Sequence, residues 1–462
     1  MQMASRPSQT EHSLYHFGRG LTMSTDVIII GAGLSGLACA VTLRERGFEP
    51  LLIEASDAPG GRVRTDRRDG FLLDRGFQVL QTWYPEAQRF FDYARLDLRP
   101  FYPGALVRTQ GQLHRVSDIW RRPSRLPEML VSPVGSLGDK LRLLALRRRA
   151  LAGDLQALYS RPEREALSLL RELGFSARMI ERFFKPFFSG VFFEPGLGVS
   201  SRAFEFVFRA FALGDTALPA RGLGELPAQL SQHLPRDSIR TGARVERILD
   251  QQVLLDTGER LRAGTIVLAT EGNETARLLG RSHSAAMGGR GATCVYFAAS
   301  APPIEGPYLV INGEGRGRVN SLLCPSNLSD QYAPRGESLV AVNAHGAEHN
   351  PDALETDLRR ELIGWFGDQV LAWKRLAVYR LPRALPVQSP PVIYPGAVRL
   401  RQSNWLWTCG EYRSAPSIQW ALHSGRRAGE EIAGSLLGSC EEDALGRPDA
   451  GPHTTRLPST DP

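Results

Sequence analysis

Gly31, Gly33 and Gly36 fall in the order G-x-G-x-x-G, and an acid, Glu54, follows about 20 residues past the first of them. That spacing suits the ADP half of a dinucleotide. The first glycine permits a tight turn, the second lets backbone approach a pyrophosphate, and the third lets a helix pack close on the preceding strand. Leu34 and Ser35 open that helix, whose free N–H groups and positive end face the phosphates. Glu54, with Ala55 beside it, offers a carboxylate to the ribose hydroxyls and favours a free 2′-hydroxyl over a 2′-phosphate. No Ser/His/Asp constellation for nucleophilic catalysis accompanies these residues. His345 and His349 stand four residues apart with no H-E-x-x-H around them, so solvated histidines are expected there and no metal site.

The elements that must hold the glycines and the acid are legible around them. Residues 27–30 are a short β-branched apolar run, as in a buried parallel strand, and the run breaks at Gly31. The pattern predicts a helix over roughly 34–46, ended by Gly47, and a second strand over 51–53 that closes on Glu54. A membrane or export segment is the rival, since 27–43 carries no charge and Ala38-Cys39-Ala40 imitates a small-residue cleavage site. Three glycines and Asp26 at its head argue against it. No other stretch approaches the roughly 18 apolar residues of a membrane helix, and no transmembrane span is expected. Residues 1–23 are polar, end at Met23, and read as a disordered extension or a misassigned start.

At 462 residues the chain exceeds one typical core, so two domains are expected. With 42% hydrophobic and 23% charged residues it has the composition of an ordinary soluble globular protein. Its five cysteines are scattered without paired spacing, which fits a reducing compartment and a cytoplasmic location rather than disulfides or zinc. The net charge of +7 rests on arginine, since only Lys140, Lys185 and Lys374 are lysines. Arg142, Arg147, Arg148 and Arg149 alternate with Leu141, Leu143, Leu144 and Leu146, a basic amphipathic helix suited to peripheral contact with an anionic membrane. A solvated helix face is the commoner cause of such a pattern. Nucleic-acid binding is not expected, because no recognition motif accompanies the charge, and nothing indicates an oligomeric state.

Along the chain, residues 86–212 read as mainly helical, with helical period over 161–173 and over 177–188, the latter interrupted by Pro186. Six phenylalanines fall between 183 and 193, a pattern more often core than ligand site but also able to line an apolar tunnel. Strands are expected near 244–248, 253–256, 265–269, 293–298, 308–312 and 338–343, then a helix at 352–366. A last strand at 405–408 leads to Gly410-Glu411 and a helix over about 417–436.

At Gly60-Gly61-Arg62, six residues past Glu54, the chain resembles the glycine-glycine-arginine signature of the FAD-dependent amine oxidase, phytoene desaturase and protoporphyrinogen oxidase superfamily. A second glycine pair lets backbone meet the far side of the pyrophosphate, and an arginine can neutralise its charge. The resemblance extends to 221–230, similar to the turn and helix before the family's adenine-contacting strand, and implies that Val245 holds the adenine through backbone groups. Cys409-Gly410-Glu411 and the stretch 417–425 resemble the C-terminal motif. There Gly410 and Glu411 are implied to contact the ribityl-phosphate region, and Ser417 and Ile418 to present a helix N-terminus to the flavin. Phe77 and Gln78 are implied to lie near the flavin and face substrate, although they could equally begin a core strand.

Departures from the superfamily pattern point toward the desaturases. A tyrosine that amine oxidases carry near Ser417 and a lysine that they carry near Thr293 are both missing, which argues against amine oxidation; Trp420 separately replaces a small residue usual in its helix and bears on flavin packing. The stretch 183–202 looks closer to the carotenoid desaturases, making Phe188 and Phe192 substrate-facing candidates. The resemblance thus implies an α/β protein in which a Rossmann-like FAD-binding domain (24–82, 219–290 and 398–438) interleaves with a mixed sheet-plus-helix substrate domain (83–218 and 291–397). Residues 439–462 form a polar disordered tail. The expected activity is FAD-dependent desaturation or isomerisation of an apolar substrate such as an isoprenoid, with no catalytic residue identified. The alternatives are a flavin amine oxidase and a non-catalytic flavin-binding protein.

Overall fold

The computed structural model describes residues 24–281, 289–347, 350–413 and 415–444. The expectations for the N-terminal extension and for His349 lie outside the described residues. The apolar run after Asp26 lies inside strand β1 (Ser24–Ile30), with Val27, Ile28 and Ile29 wholly buried. It pairs in parallel with β2 (Leu51–Ile53) on one side and with β3 (Arg260–Leu268) on the other. Ile239–Arg240 extends the sheet beyond β2, and β4 (Leu406–Thr408) runs parallel to the end of β3. Gln252–Leu255 and Val245–Leu249 complete it as an antiparallel edge. Chain order reverses about β1, and ligands of parallel sheets bind outside the carboxyl ends of the strands at such a point. Gly31, Glu54, Ala269 and Cys409 therefore emerge together on one edge.

Helix α1 (Leu34–Glu45) returns the chain from β1 to β2 and is buried from Leu34 to Leu43. Its closeness to the turn needs Gly36, where a Cβ would stand 1.9 Å from the Gly31 carbonyl oxygen. Its other neighbour, α4 (Ile418–Ala444), approaches through Gly425, where a Cβ would stand 2.1 Å from the Ser35 oxygen. This C-terminal helix runs to Ala444 and overturns the expectation of a disordered tail from 439, because helical backbone bonding continues through the polar residues; 445–462 lie outside the described residues.

A second sheet has the order Lys374–Pro386, Gly289–Ala299, Ser338–His345, Val319–Leu323, Leu309–Asn312, Gly104–Thr109 and Gln112–Ser117, antiparallel except between the fifth and sixth. Its strand at Gly289 starts two residues before the boundary drawn from sequence. Alternate residues serve opposite faces. Val295 and Phe297 meet Leu354, Leu358 and Leu362 of the helix Pro351–Phe366, whereas Cys294 and Tyr296 join Phe184 and Phe188 in the main core.

The hairpin Gly104–Thr109 to Gln112–Ser117, with Leu98–Pro100 before it, adds strands that the mainly helical reading of 86–212 did not include. Its turn is Gln110-Gly111, both at positive φ, and the half-buried alternation is too short and polar to stand out in sequence. The helix expected over 161–173 is confined to Ala166–Glu172, because Glu165 is still extended and bridges Ser200. Pro186 does not interrupt the next helix. A π-turn at Ile180–Phe184 absorbs it, and Lys185–Phe192 carries on.

Candidate functional site

One cavity of about 970 Å³ runs from the carboxyl edge of the first sheet to a chamber walled by phenylalanines. At its first end two glycine pairs face each other. Gly33 and Gly60 form a parallel bridge, and the Gly60 N–H donates to the Ala32 carbonyl at 2.8 Å. Gly61 sits at φ 59° with its Cβ position 3.4 Å from the Gly33 Cα. A Cβ added to Gly33 would meet no protein atom within 4 Å, so bare backbone borders open space where a pyrophosphate would lie. Leu34 and Ser35 line this end at the start of α1.

Glu54 is oriented by main chain. One carboxylate oxygen accepts from the Ala32 N–H at 2.8 Å, and the other accepts from the Ser56 N–H and hydroxyl at 2.8 and 2.7 Å. Its carbonyl receives the Ala243 N–H at 2.9 Å, which draws Val245 alongside Glu54 and Ala55 on the cavity wall. These residues fit the adenosine part of the cofactor by shape and hydrogen-bonding capacity.

In the middle of the cavity Arg62 pairs with Glu411 at 2.5 Å and donates to the Ala384 carbonyl at 2.8 Å. Burial pushes the Glu411 carboxyl above its ordinary range, and Arg62 draws it back. Gly410 is fixed by donation from its N–H to the Ser424 hydroxyl at 3.0 Å. The Ser417 hydroxyl accepts the Trp420 N–H at 3.1 Å, so Ser417 caps α4 and, with Ile418, turns the helix start into the cavity. A second glycine pair, an arginine and a helix N-terminus around one space suit the pyrophosphate and ring system of FAD.

Of the residues singled out for the cofactor, Gly31, Gly33, Leu34, Ser35, Glu54, Ala55, Gly60, Gly61, Arg62, Val245, Gly410, Glu411, Ser417 and Ile418 all line this cavity. Gly36 does not. It packs α1 onto the Gly31 turn instead.

Phe77, Gln78, Phe188 and Phe192 line the same cavity. Phe77 and Gln78 precede the short strand Leu80–Gln81 and lie outside it, which removes the plain strand reading of them. Gln78 donates to the Arg62 carbonyl at 2.8 Å and so braces the arginine loop. The phenylalanine cluster divides between the two readings it allowed. Phe184 is wholly buried against Phe175, whereas Phe183, Phe187, Phe188, Phe192 and Phe193 reach the chamber.

Sequence reasoning missed Phe208 and Phe211, which complete the wall from the helix Ser201–Leu213. The spacing of Phe204, Phe208 and Phe211 at i, i+4 and i+7 was the available signal. Thr293 is buried, donates to the Gly346 carbonyl, and is not part of the wall. Trp420 turns away into an aromatic nest with Phe206, Tyr159 and Tyr394, so its bulk does not enter the cavity. No lysine lines the cavity, and no candidate metal cluster occurs, among the described residues.

The model of the family described as Flavin containing amine oxidoreductase matches residues 34–433. Among curated proteins, the coproporphyrinogen III oxidase of Propionibacterium freudenreichii subsp. freudenreichii is 30% identical over 122 residues, 25% of this chain and 23% of the relative. Protoporphyrinogen oxidase 1 of Arabidopsis thaliana is 33% identical over 185 residues, 38% of this chain and 32% of the relative. The chain thus spans a third or less of the length of these curated relatives. The solved structure of cyclohexylamine oxidase from Brevibacterium oxydans IH-35A superposes with a TM-score of 0.67 at 19% identity, covering 89% of this chain and 99% of that one. At that identity the likeness is one of fold.

Proposed function

Since the chain belongs to the flavin containing amine oxidoreductase family and is an FAD-dependent oxidoreductase, we propose that it desaturates or isomerises a bulky, largely apolar substrate such as an isoprenoid. The observation that carries this is the continuity of the cavity: the glycine cradle and the phenylalanine chamber share one space. FAD, when bound, supplies an acceptor for the hydride of a substrate C–H bond.

The chain's own residues bind and orient. Gly31, Gly33, Gly60 and Gly61 would hold the pyrophosphate through backbone, Glu54 the ribose, and the 243–245 segment, where the strand Val245–Leu249 begins, the adenine. Arg62, Glu411 and the Ser417–Ile418 helix start frame the ring system. Phe183, Phe187, Phe188, Phe192, Phe208 and Phe211 exclude water and hold an apolar skeleton by contact area rather than by charge. A wall without lysine suits a reaction that needs no proton moved by a side chain.

Amine oxidation is the second reading, and the family description and the cyclohexylamine oxidase neighbour favour it over desaturation. Such a chamber would take an amine in its neutral form, because an unpaired cation is costly among phenylalanines. The two readings separate in one experiment. The yellow holoprotein is mixed anaerobically with polyene precursors, porphyrinogens and amines while flavin absorbance is followed. Bleaching by an apolar polyene and by no amine is the expected outcome. Bleaching by an amine, with hydrogen peroxide released on admitting air, would replace the first reading with the second.

A further inference from the structure

Seven of the thirteen exposed large hydrophobic side chains among the described residues fall within the 25 residues 120–144, which makes one patch rather than scattered exceptions. They are Trp120, Leu126 and Leu130 with Val131 on helix α2 (Leu126–Val131), and Leu137, Leu141 and Leu144 on helix α3 (Leu137–Leu151). Val131 is 83% exposed, Leu141 68% and Leu137 63%, values that a buried or half-packed role would not leave.

The segments are tied together. The Lys140 ammonium donates to the Leu130 carbonyl at 2.6 Å, and the Arg147 guanidinium lies 4.7 Å over the Trp120 ring. Helix α3 is packed on the protein through Leu146 and Ala150. Leu144 and Arg148 sit two positions earlier, about 200° around the helix, and with Leu137 and Leu141 they form the opposite stripe.

Charge says what covers this stripe. Residues 120–150 hold eight basic and two acidic residues, a net +6 out of the chain's +7. Arg122 and Arg148 are exposed, while Arg121 and Arg149 are paired with Asp215 and Glu205. The two acids are already engaged: Glu128 with Arg125 and with Arg115 of the neighbouring strand, and Asp139 on the cap of α3. A second copy of so basic a face would repel itself. Leucines and a tryptophan set among arginines suit the headgroup boundary of an anionic bilayer instead.

The patch also reaches the cavity, since Trp120, Arg121, Leu143 and Arg147 line its wall. We propose that the α2–α3 face docks on an anionic lipid bilayer and sets the mouth of the cavity against the acyl chains. The docking stands on the surface alone; passage of substrate from the bilayer into the cavity rests on the apolar-substrate reading.

The test is flotation of the FAD-loaded full chain with vesicles of phosphatidylcholine, with and without phosphatidylglycerol. The protein is expected to float with the anionic vesicles, to be released by high salt, and to bind them at least about tenfold more weakly as Leu141→Asp or Val131→Asp. Both positions are exposed, so retained flavin absorbance and an unchanged melting temperature keep these variants interpretable. Brominated acyl chains are expected to quench the emission lost in Trp120→Phe, which itself still floats. No flotation, equal flotation of wild type and Leu141→Asp, or an unquenched Trp120 would overturn the proposal. So would conversion of a dimer to a monomer by Leu141→Asp with no vesicle binding by either form. Flotation is read without substrate, so its failure leaves the reaction untouched, and a failed substrate panel leaves the docking untouched.

Discussion

Glu54 shows how one side chain is prepared for a ligand before the ligand arrives. Three donors from Ala32 and Ser56 fix both carboxylate oxygens, and a charged acceptor held by main-chain N–H groups is among the stronger hydrogen-bonding arrangements. Removing it as Glu54→Ala costs the ribose contact and leaves two backbone N–H groups without their acceptor. The expected result is about tenfold to a hundredfold weaker FAD binding, read by fluorescence titration of the apoprotein. Glu54→Gln keeps one acceptor and should lose less; unchanged affinity in Glu54→Ala would remove the ribose role. Phe184 and Phe188 teach a different lesson at the same scale. They are four residues apart, chemically identical and both buried in the main core, yet only Phe188 also borders the chamber. Only the helix's rotation against its neighbours distinguishes them.

At the scale of elements, the helices that carry the proposed docking face depend on one buried acid. Asp139 accepts from the backbone N–H and the hydroxyl of both Ser136 and Ser176, all at 2.6 to 2.7 Å, closing a capping box on α3 and fastening it to the next loop. Burial alone would raise its pKa; the Ser176 and then the Ser136 hydrogen bonds overcome that and hold it down at about 2. Because the folded value lies below the unfolded one, near 4, this stabilisation is present above about pH 4 and lost as pH falls toward about 2. Asp139→Asn should therefore be less stable by about 2 kcal/mol at neutral pH, with the gap closing in acid. Denaturant titrations of both proteins across that range check it, and a gap that persists at the acid end would refute the linkage. The π-turn at Ile180–Phe184 belongs to this scale too, since it is what lets Pro186 sit inside a helix that sequence reading broke.

At the scale of the whole molecule, the cavity wall is drawn from segments far apart in the chain: 30–63, 243–245, 269–274 and 410–421 at the cofactor end, with the chamber supplied by 183–193 and 207–212. A ligand that needs all of them binds the native state and not the unfolded chain. FAD is therefore expected to raise the melting temperature of the apoprotein, by an amount that grows with the logarithm of its concentration. At a hundred times Kd the stabilisation is about 2.7 kcal/mol. Thermal scans of apoprotein at stepped FAD concentrations measure this, and a flat response would contradict a cofactor site assembled from these segments.

The residues of the proposed cofactor end are legible in the sequence. Gly31, Gly33, Gly36, Glu54 and the Gly60-Gly61-Arg62 run lie within 32 residues, and local backbone geometry dictates what each must be, so spacing alone exposes them. The chamber and the face beside it emerge only on folding. Phe208, Phe211, Trp120 and Arg147 come from helices and loops whose facing is set by packing, and the 104–117 hairpin, which lines the same cavity, alternates too weakly to be seen in one dimension. Periodicity marks that a residue has a face; the neighbours that press on the element decide whether that face meets core, cavity or solvent.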